Sequence, residues 1–425
     1  MEAQNYLKRR LDLATRYSNT LFVISSGTES MRSHSVAYRY KTPSDFLYLT
    51  GLNLSHSYLI IAGKDHYILS DAFARTSSVW GEEAMIAANE QHLLGDLKCE
   101  SLQKLDEILH DKISQFDRLA IPMGRDAHLD QKALSLVSFK RRDRRRLSAV
   151  PLALSDSRTL VGSLRLHKDT SEIAHMREAS LRSSRVHAEI MKSQLIGKSE
   201  IQIANLIESL FLSEDMQWTS YESIVGSGER AVMLHARATQ KKISDGELIL
   251  IDAGAEWNSY CADITRTIPA GKKFSAEQRA LYDIVLKAQK AILAAVKTGT
   301  TIQALHELGL EELREGLLGL GYDKNELALD LSQLMPHSTS HWIGMDVHDP
   351  SAYYDDNGQE RRLEEGMCFT VEPGLYFREG FKELAEFEYL GVRIEDDVCV
   401  TSTGCEVLTS APKETDEIEA LRAKA

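Results

Sequence analysis

Short apolar segments alternate with polar ones through the first 160 residues, a pattern that predicts a mixture of strands and helices. The apolar runs at residues 21–25, 58–62 and 67–70 have the length and β-branched content of buried strands. Residues 102–116 have apolar positions at helical spacing instead. We therefore expect an α/β fold in this part of the chain.

The pattern changes after a polar interruption at residues 151–168. Asp169 followed by Glu172 is a capping-box signature, which opens a predicted helix reaching about residue 193. A second helix is predicted over residues 199–213. At 425 residues the chain is too long for one ordinary core, so two domains are expected. We place them at residues 1–160 and 161–425.

Residues 251–267 have the alternation of a β-hairpin around a polar turn. A chain reversal directly after Trp257 would set Asp252 and Asp263 opposite each other on one face, with Cβ atoms about 5 Å apart. Two carboxylates so placed repel each other. Either they stay solvated at the end of a loop, or a divalent cation lies between them. The hairpin by itself leaves both interpretations open.

Imidazole groups are concentrated in residues 337–350, which contain His337, His341 and His348. Histidines four residues apart can share a helical face, but Pro336 and Gly344 oppose a continuous helix here. The missing glutamate excludes the His-Glu-x-x-His protease motif. The segment is therefore either a histidine-rich loop or part of a metal site.

Two further acidic positions lie in predicted strands. Glu372 ends an apolar strand just before a Pro-Gly turn, and Glu395 follows Arg393 in the strand pattern of residues 391–398. A period of two puts Arg393 and Glu395 on one face, which suggests a polar face turned toward a charged group. His235 ends an apolar pair, and a histidine in that setting is more often structural than catalytic.

Composition narrows the chemistry that these residues can perform. The formal net charge of −13 disfavours nucleic acid as a partner. Five cysteines without a Cys-x-x-Cys pair argue against a thiolate zinc site, so any metal here must use oxygen and imidazole ligands. The N-terminus lacks an apolar signal core, and no apolar run is long enough to span a membrane. We expect a cytoplasmic protein.

Taken together, four blocks of residues 221–406 resemble the pita-bread metallopeptidases of family M24, the group that contains methionine aminopeptidase, aminopeptidase P and prolidase. They are Ile-Asp-Ala-Gly with a second aspartate in Asp-Ile-Thr-Arg-Thr, Ser-His-Trp-Ile-Gly-Met-Asp-Val-His-Asp, Val-Glu-Pro-Gly-Leu-Tyr, and Gly-Val-Arg-Ile-Glu-Asp-Asp. All four occur in the family's order. The added N-terminal domain and its segment Ser-Asp-Phe-Leu-Tyr-Leu-Thr-Gly resemble aminopeptidase P more than methionine aminopeptidase.

The resemblance implies an α/β N-terminal domain of the creatinase type, followed by a pita-bread catalytic domain with a dinuclear metal centre. Two divalent ions are implied, manganese first, with zinc, cobalt or iron(II) as alternatives. The implied ligands are Asp252 on one ion, His341 and Glu372 on the other, and Asp263 and Glu395 shared by both.

The resemblance also assigns roles to side chains that do not bind metal. Glu372 is implied to move a proton in addition to binding metal. His235 and His348 match the family's two active-site histidines that orient the peptide, His337 is expected to line the proline side, and Arg393 to hold the carboxylates in place.

The implied reaction is hydrolysis of the bond between an N-terminal residue and a following proline, by hydroxide activated at the two metals. Proline calls for a dedicated enzyme because its ring fixes φ and removes an amide hydrogen. Prolidase, which cleaves Xaa-Pro dipeptides, is the runner-up. A non-catalytic peptide-binding protein is the third interpretation, although such relatives are expected to have replaced several ligands. Relatives often assemble through the N-terminal domain, so a dimer or tetramer is expected.

Two departures from the family pattern concern the surroundings of the histidines. Ala236 and Thr239 stand where the family commonly has tyrosine and asparagine. Between His337 and His341 the chain has Ser-Thr-Ser where Gly-Leu-Ser or similar is usual. These changes bear on substrate preference and rate more than on metal binding, because all five implied ligands are present.

Overall fold

The computed structural model describes residues 3–71, 91–142, 153–355, 357–381 and 384–425. Contacts between Cα atoms divide the chain into two units, Met1–Leu164 and Arg165–Ala425. None of the helices in these described ranges is long and apolar enough to cross a membrane.

One sheet with helices packed against it makes up the first unit. Its strands are β1 (Thr20–Ser25), β2 (Tyr58–Ala62), β3 (Asp65–Leu69), β4 (Lys98–Glu100), β5 (Arg118–Ile121) and β6 (Ala153–Asp156). Its helices are α1 (Ala3–Arg16), α2 (Ser44–Thr50), α3 (Leu105–Lys112), α4 (Ala127–Arg142) and α5 (Ser157–Arg165). The strand order is β4-β3-β2-β1-β5-β6, with β1, β5 and β6 parallel.

The buried strands of this sheet confirm the sequence prediction. Leu21, Val23 and Ile60 are fully buried and pack in one cluster with Leu109 of α3 and Leu129 of α4. These side chains leave one face of the sheet covered by helices, as an α/β domain requires.

The helix predicted over residues 102–116 is shorter than expected. Only α3 is α-helical, between 3-10 turns at Leu102–Lys104 and Ile113–Gln115. The Ser101 side chain accepts a hydrogen bond from the backbone N–H of Gln103 at 3.4 Å, which starts a tighter turn before the α-helix begins.

The described part of the second unit has six helices. They are α6 (Thr170–Met191), α7 (Glu200–Ser213), α8 (Ala276–Ala295), α9 (Ile302–Gly319), α10 (Lys324–Leu334) and α11 (Thr415–Arg422). The predicted capping box at the start of α6 is present: the Asp169 carboxylate accepts from the backbone N–H of Glu172 at 2.9 Å, and the Glu172 carboxylate accepts from that of Asp169 at 2.9 Å.

Short antiparallel strands form the interior of this unit. They are β7 (Trp218–Thr219), β8 (Ile224–Ser227), β9 (Leu248–Asp252), β10 (Ala255–Trp257), β11 (Tyr260–Cys261), β12 (Thr265–Pro269), β13 (Cys368–Val371), β14 (Gly374–Tyr376), β15 (Gly391–Arg393), β16 (Asp396–Val400) and β17 (Cys405–Val407). The sheets they form are ordered β11-β10-β7, β12-β9-β8, β13-β16-β17 and β14-β15. The single strand predicted over residues 391–398 is therefore two strands in different sheets.

The hairpin at residues 251–267 has a different register from the one predicted. The turn residues Asn258 and Ser259 both have positive φ, 49° and 68°, so the chain reverses one residue later than we expected. Asp252 consequently pairs with Thr265, and Asp263 is a diagonal neighbour on the same face. Gly254 permits this close crossing, because a Cβ there would lie 1.9 Å from the carbonyl oxygen of Ala262.

A buried arginine fixes the C-terminal helix to the rest of the second unit. Arg422 is 1% exposed, and its guanidinium donates hydrogen bonds to the carbonyl oxygens that follow α6 and β12. The acceptors, at 2.5 to 3.1 Å, are those of Met191, Ser193, Pro269, Ala270 and Gly271.

We expect Arg422→Leu to lower the free energy of unfolding by about 3 to 5 kcal/mol, because it leaves buried carbonyl groups without donors. Urea unfolding followed by circular dichroism measures the change. Lys424→Leu is the control, since Lys424 is exposed two residues away. Equal midpoints for the two variants would contradict this role of Arg422.

Candidate metal centre

Five side chains from separate parts of the second unit line one cavity of about 860 Å³. Asp252 ends β9, Asp263 lies just before β12, and His341 lies in the loop after α10. Glu372 directly follows β13, and Glu395 lies between β15 and β16. The structure thus brings together the five residues that the sequence singled out as metal ligands.

The imidazole of His341 lies at the middle of this group. Its Nε2 atom is 3.4 Å from a carboxylate oxygen of Asp263, 3.8 Å from one of Glu372 and 3.9 Å from one of Glu395. Ligand atoms of Asp263, His341 and Glu395 all lie within 4.8 Å of one another. Atoms at these separations can move onto a common cation with small side-chain rotations.

The tautomer of His341 is set by its own backbone. Its Nδ1 atom is 3.1 Å from the carbonyl oxygen of Trp342, which can only accept, so Nδ1 carries the hydrogen. Nε2 is left without a hydrogen in the neutral ring and faces the carboxylates. This is the arrangement that a metal-binding histidine requires.

Negative charge in this cavity wall is only partly compensated. Asp252, Asp263 and Glu395 are 8%, 5% and 2% exposed. Burial raises the pKa of Glu372 to about 7 against the opposing charges of His341 and Arg393. Burial and the neighbouring Asp263 hold the pKa of Glu395 well above its usual range.

The imidazole of His341 responds to the same negative charge. Burial disfavours its charged form, but the hydrogen bond to Asp263 and the charge of Glu372 outweigh burial and raise its pKa to about 9. The shifts at Glu372 and His341 both reflect the crowding of negative charge in this wall. Four crowded carboxylates with one imidazole are the donor set that hard or borderline divalent cations prefer, and the residues fit such ions.

One arginine ties the carboxylates to the surrounding network. Arg393 is 3% exposed and donates to Asp252 through Nη2 at 2.7 Å, to Thr265 Oγ1 through Nε at 3.1 Å, and to the Tyr376 hydroxyl through Nη1 at 2.9 Å. Thr265 Oγ1 donates in turn to Glu395 at 2.6 Å. Arg393 and Thr265 thus orient Asp252 and Glu395 together.

The three consecutive acids 395–397 face different surroundings. Glu395 lines the cavity, whereas Asp396 accepts hydrogen bonds from Arg266 Nη2 and Lys413 Nζ, both at 2.6 Å. Asp397 accepts the backbone N–H of Asp263 at 3.0 Å. Asp396 and Asp397 therefore hold the strands in position. Of the three acids, Glu395 is the one that lines the cavity.

The remaining histidines also line the cavity. His348 packs against His341 with ring centroids 4.5 Å apart, and His235 lies on the loop before β9. His337 lies 5.5 Å from the ring of Tyr376, whose hydroxyl is 2.8 Å from His337 Nε2. The cavity is thus bordered by three imidazoles outside the ligand group.

Sequence reasoning missed two tyrosines of this site. The Tyr221 hydroxyl contacts Oδ1 of Asp252 at 2.5 Å and also Oδ1 of Asp263. Tyr376 links Arg393 to His337. Tyr376 follows the Val-Glu-Pro-Gly block and could have been noticed there, whereas nothing in the sequence near Tyr221 pointed to the aspartates.

Comparison with known proteins bears directly on this geometry. Residues 174–402 match the model of metallopeptidase family M24, and residues 6–120 match that of the aminopeptidase P N-terminal domain. The chain belongs to metallopeptidase family M24. It is therefore a member of a hydrolase family that works with divalent metal ions.

Individual members of family M24 resemble the chain over its whole length. The Xaa-Pro aminopeptidase of Escherichia coli K12 is 32% identical over 430 residues, covering 98% of this chain and 97% of that protein. The solved structure of proline aminopeptidase P II from Yersinia pestis has a TM-score of 0.89 at 33% identity, with both chains fully covered. The human Xaa-Pro dipeptidase is 35% identical over 297 residues, but this covers 61% of the chain and 60% of the dipeptidase.

These matches confirm two expectations from the sequence. The family is the one indicated by the four blocks, and the fold is an α/β N-terminal domain followed by the pita-bread metallopeptidase domain.

Binding of divalent ions should stabilise the protein, since it relieves repulsion among buried carboxylates that the unfolded chain does not have. At free Mn²⁺ 100-fold above its dissociation constant we expect about 2.7 kcal/mol of added stability, removed by chelator. Thermal unfolding with and without metal measures this shift.

The test variant for this experiment is Glu395→Gln, which removes one of the four carboxylates and should diminish the shift. Glu364→Gln is the matched variant, because Glu364 is exposed and does not line the cavity. A metal-induced shift that survives Glu395→Gln unchanged would place the binding site elsewhere.

Proposed function

We propose that this member of family M24 is a metal-dependent aminopeptidase that releases the N-terminal residue from peptides with proline in the second position. The observation that carries the proposal is the convergence of four carboxylates and His341 on one wall of a cavity that His235, His337 and His348 also line. Full-length similarity to an Xaa-Pro aminopeptidase supports this substrate class.

The five side chains provide places for two cations. Asp252 would hold one ion, His341 and Glu372 would hold the other, and Asp263 and Glu395 would contribute to both. Manganese is the metal we favour, because oxygen ligands with a single imidazole suit it better than metals that prefer thiolates. When bound, two such ions supply Lewis acidity, which lowers the pKa of a water molecule and polarises the scissile carbonyl.

The protein's own groups handle the proton and the substrate. Glu372 reaches the cavity from the end of β13, and it accepts the proton of the attacking water and returns it to the proline nitrogen as the bond breaks. His235 and His348 donate hydrogen bonds to the peptide and to the oxyanion that forms at the carbonyl.

Proline recognition falls to the side of the cavity that contains His337. The Tyr376 hydroxyl and the carbonyl oxygen of Ser338, each 2.8 Å from a ring nitrogen, fix the imidazole plane. A fixed flat ring offers proline an apolar face and needs no amide hydrogen from the substrate. Arg393 keeps Tyr376 and Asp252 in place from the same side.

Prolidase activity is the alternative, and similarity to the human Xaa-Pro dipeptidase favours it over part of the chain. Two predictions about the whole protein accompany the proposal: a cytoplasmic location, and assembly into a dimer or tetramer. Residues 1–160 are proposed to be the aminopeptidase P-like domain, and residues 161–425 the catalytic one.

The decisive assay compares a dipeptide Xaa-Pro with the matched tripeptide Xaa-Pro-Yaa, using protein reconstituted with manganese. We expect cleavage of the tripeptide at the Xaa-Pro bond, lost on chelation and restored by Mn²⁺. Cleavage of the dipeptide alone would make the protein a prolidase. Absence of both activities would favour the peptide-binding interpretation.

Glu372→Gln should lower kcat for the tripeptide by about 10²- to 10⁴-fold, the range of general acid–base catalysis. Metal content measured by mass spectrometry in the same samples separates loss of the proton acceptor from loss of an ion. Full activity in the Glu372→Gln variant would contradict the mechanism.

A further inference from the structure

The loop that presents His235 to the cavity is held at several points, none of which is on the imidazole itself. It runs from Ser227, the last residue of β8, to Thr239, and it includes a 3-10 turn at Gly228–Val232. His235 is exposed, and its imidazole makes no hydrogen bond within the part of the chain that the structure describes. The position of the ring therefore depends on the contacts that hold the loop on either side of it.

Both ends of the loop meet on one buried carboxylate. Glu200, the first residue of α7, is 0% exposed. Its Oε1 accepts from the backbone N–H of Ser227 at 3.0 Å and from the Ser227 hydroxyl at 3.1 Å. Its Oε2 accepts from the backbone N–H of Thr239 at 3.1 Å and from the Thr239 hydroxyl at 2.7 Å.

An arginine inside the loop completes this contact. Arg230 Nε lies 3.0 Å from Oε2 and 3.2 Å from Oε1 of Glu200, and Arg230 Nη2 donates to the carbonyl oxygen of Arg237 at 2.6 Å. Although burial opposes ionisation, hydrogen bonds from Thr239 and Ser227 and the charge of Arg230 lower the pKa of Glu200. The carboxylate is thus charged and bonded at both oxygens.

The middle of the loop packs against β15, the strand just before Glu395. A Cβ at Gly391 would be 2.1 Å from the carbonyl oxygen of Ala231, so the loop packs on bare backbone there. The carbonyl oxygen of Leu234, next to His235, also lies 3.4 Å from Arg393 Nη2. His235 thus lies between this contact and the loop end at Thr239, and a shift at that end would change the position of His235 relative to Arg393.

Thr239 is one of the positions where the chain departs from its family. Its hydroxyl and backbone N–H both reach Oε2 of Glu200, and the same hydroxyl accepts the N–H of Lys241 at 3.2 Å. Asparagine could make a comparable pair of bonds, because it also combines a side-chain donor with a side-chain acceptor. The substitution therefore preserves an anchor of this loop.

We propose that Glu200 is a positioning residue of the peptidase reaction, which holds both ends of the loop through Ser227 and Thr239 and thereby places His235 at the substrate. The inference rests on the proposed function for its kinetic consequences. We call the contacts of Glu200 with Ser227 and Thr239 the clamp. The clamp is a structural property and can be measured without activity.

The kinetic test is a double-mutant cycle with Glu200→Gln, His235→Ala and the double variant, all loaded with manganese. We expect Glu200→Gln alone to lower kcat by about 10- to 100-fold, because small displacements of an orienting group are costly. In the His235→Ala background the same change should lower kcat by less than about 3-fold, since the group it positions is already absent.

Equal losses from Glu200→Gln in both backgrounds would overturn the proposal, because they would mean that Glu200 does not act through His235. Metal content should stay at the wild-type value in all three variants, and its loss would also count against the proposal. Glu214→Gln is the matched control: Glu214 caps the other end of α7, pairs with Arg185 at 2.5 Å, and should leave kcat unchanged.

Amide hydrogen exchange tests the clamp independently of catalysis. Peptides covering residues 228–238 should exchange faster in Glu200→Gln than in the wild type, and at the wild-type rate in Glu214→Gln. Unchanged exchange in Glu200→Gln would refute the clamp. If the wild type cleaves no Xaa-Pro peptide, the proposed function fails while this measurement still decides about the loop.

Milder variants guard against loss of folding in Glu200→Gln. Thr239→Val removes the hydroxyl bond to Glu200 and the bond that the hydroxyl accepts from Lys241, and it should lower kcat by about 3- to 10-fold, a modest fraction of the Glu200→Gln effect. Thr239→Asn keeps a side-chain donor and should stay close to the wild type. Equal losses in the two Thr239 variants would refute this residue's part in the clamp.

Discussion

The second unit depends on one constraint, which is the repulsion among four largely buried carboxylates in the wall of its cavity. Asp252, Asp263, Glu372 and Glu395 come from three different sheets or their edges, and no single element could bring them together. Charges this close are unfavourable unless cations, protons or hydrogen-bond donors compensate them. The raised pKa values of Glu372 and His341 reflect this unfavourable interaction.

Much of the surrounding structure serves to hold these charges in place. Arg393 and Thr265 orient carboxylate oxygens directly, while Arg266 acts one layer further out by pairing with Asp396 and donating to the carbonyl oxygen of Glu395 at 2.6 Å. Arg266 and Asp396 are each 1% or less exposed. Buried ion pairs of this kind contribute little net stability, but they define one geometry, since any other leaves a charge unpaired.

A second theme is that the two histidines proposed to meet the substrate lie on loops, whereas the four carboxylates proposed to bind metal lie at or next to strand ends. His235 and His348 follow no regular hydrogen-bonded ladder, so their positions depend on anchors outside the cavity. Glu200 anchors the first loop. For the second, the buried Asp349 next to His348 accepts from Lys168 Nζ at 3.2 Å and also pairs with Arg165. Buried acids thus position both loops.

The sequence determined the composition of the site and the kind of fold. The acidic and imidazole residues of the proposed site, their order along the chain and the capping box of α6 are all visible in the sequence, because side-chain chemistry and helix capping depend on residue identity. The five ligands were named as implied by family resemblance before any geometry was available. The strand that Glu372 directly follows was also located from its apolar pattern.

Only the tertiary structure decided the register and the partners. The Asn258–Ser259 turn set Asp252 against Thr265 because two residues adopted positive φ, a choice that the alternation of side chains could not reveal. The contacts of Tyr221 with Asp252 and of Glu200 with Thr239 join positions about 30 to 40 residues apart. The periodicity of a sequence indicates which residues are neighbours within one helix or strand. Contacts between distant residues depend instead on how separate elements pack.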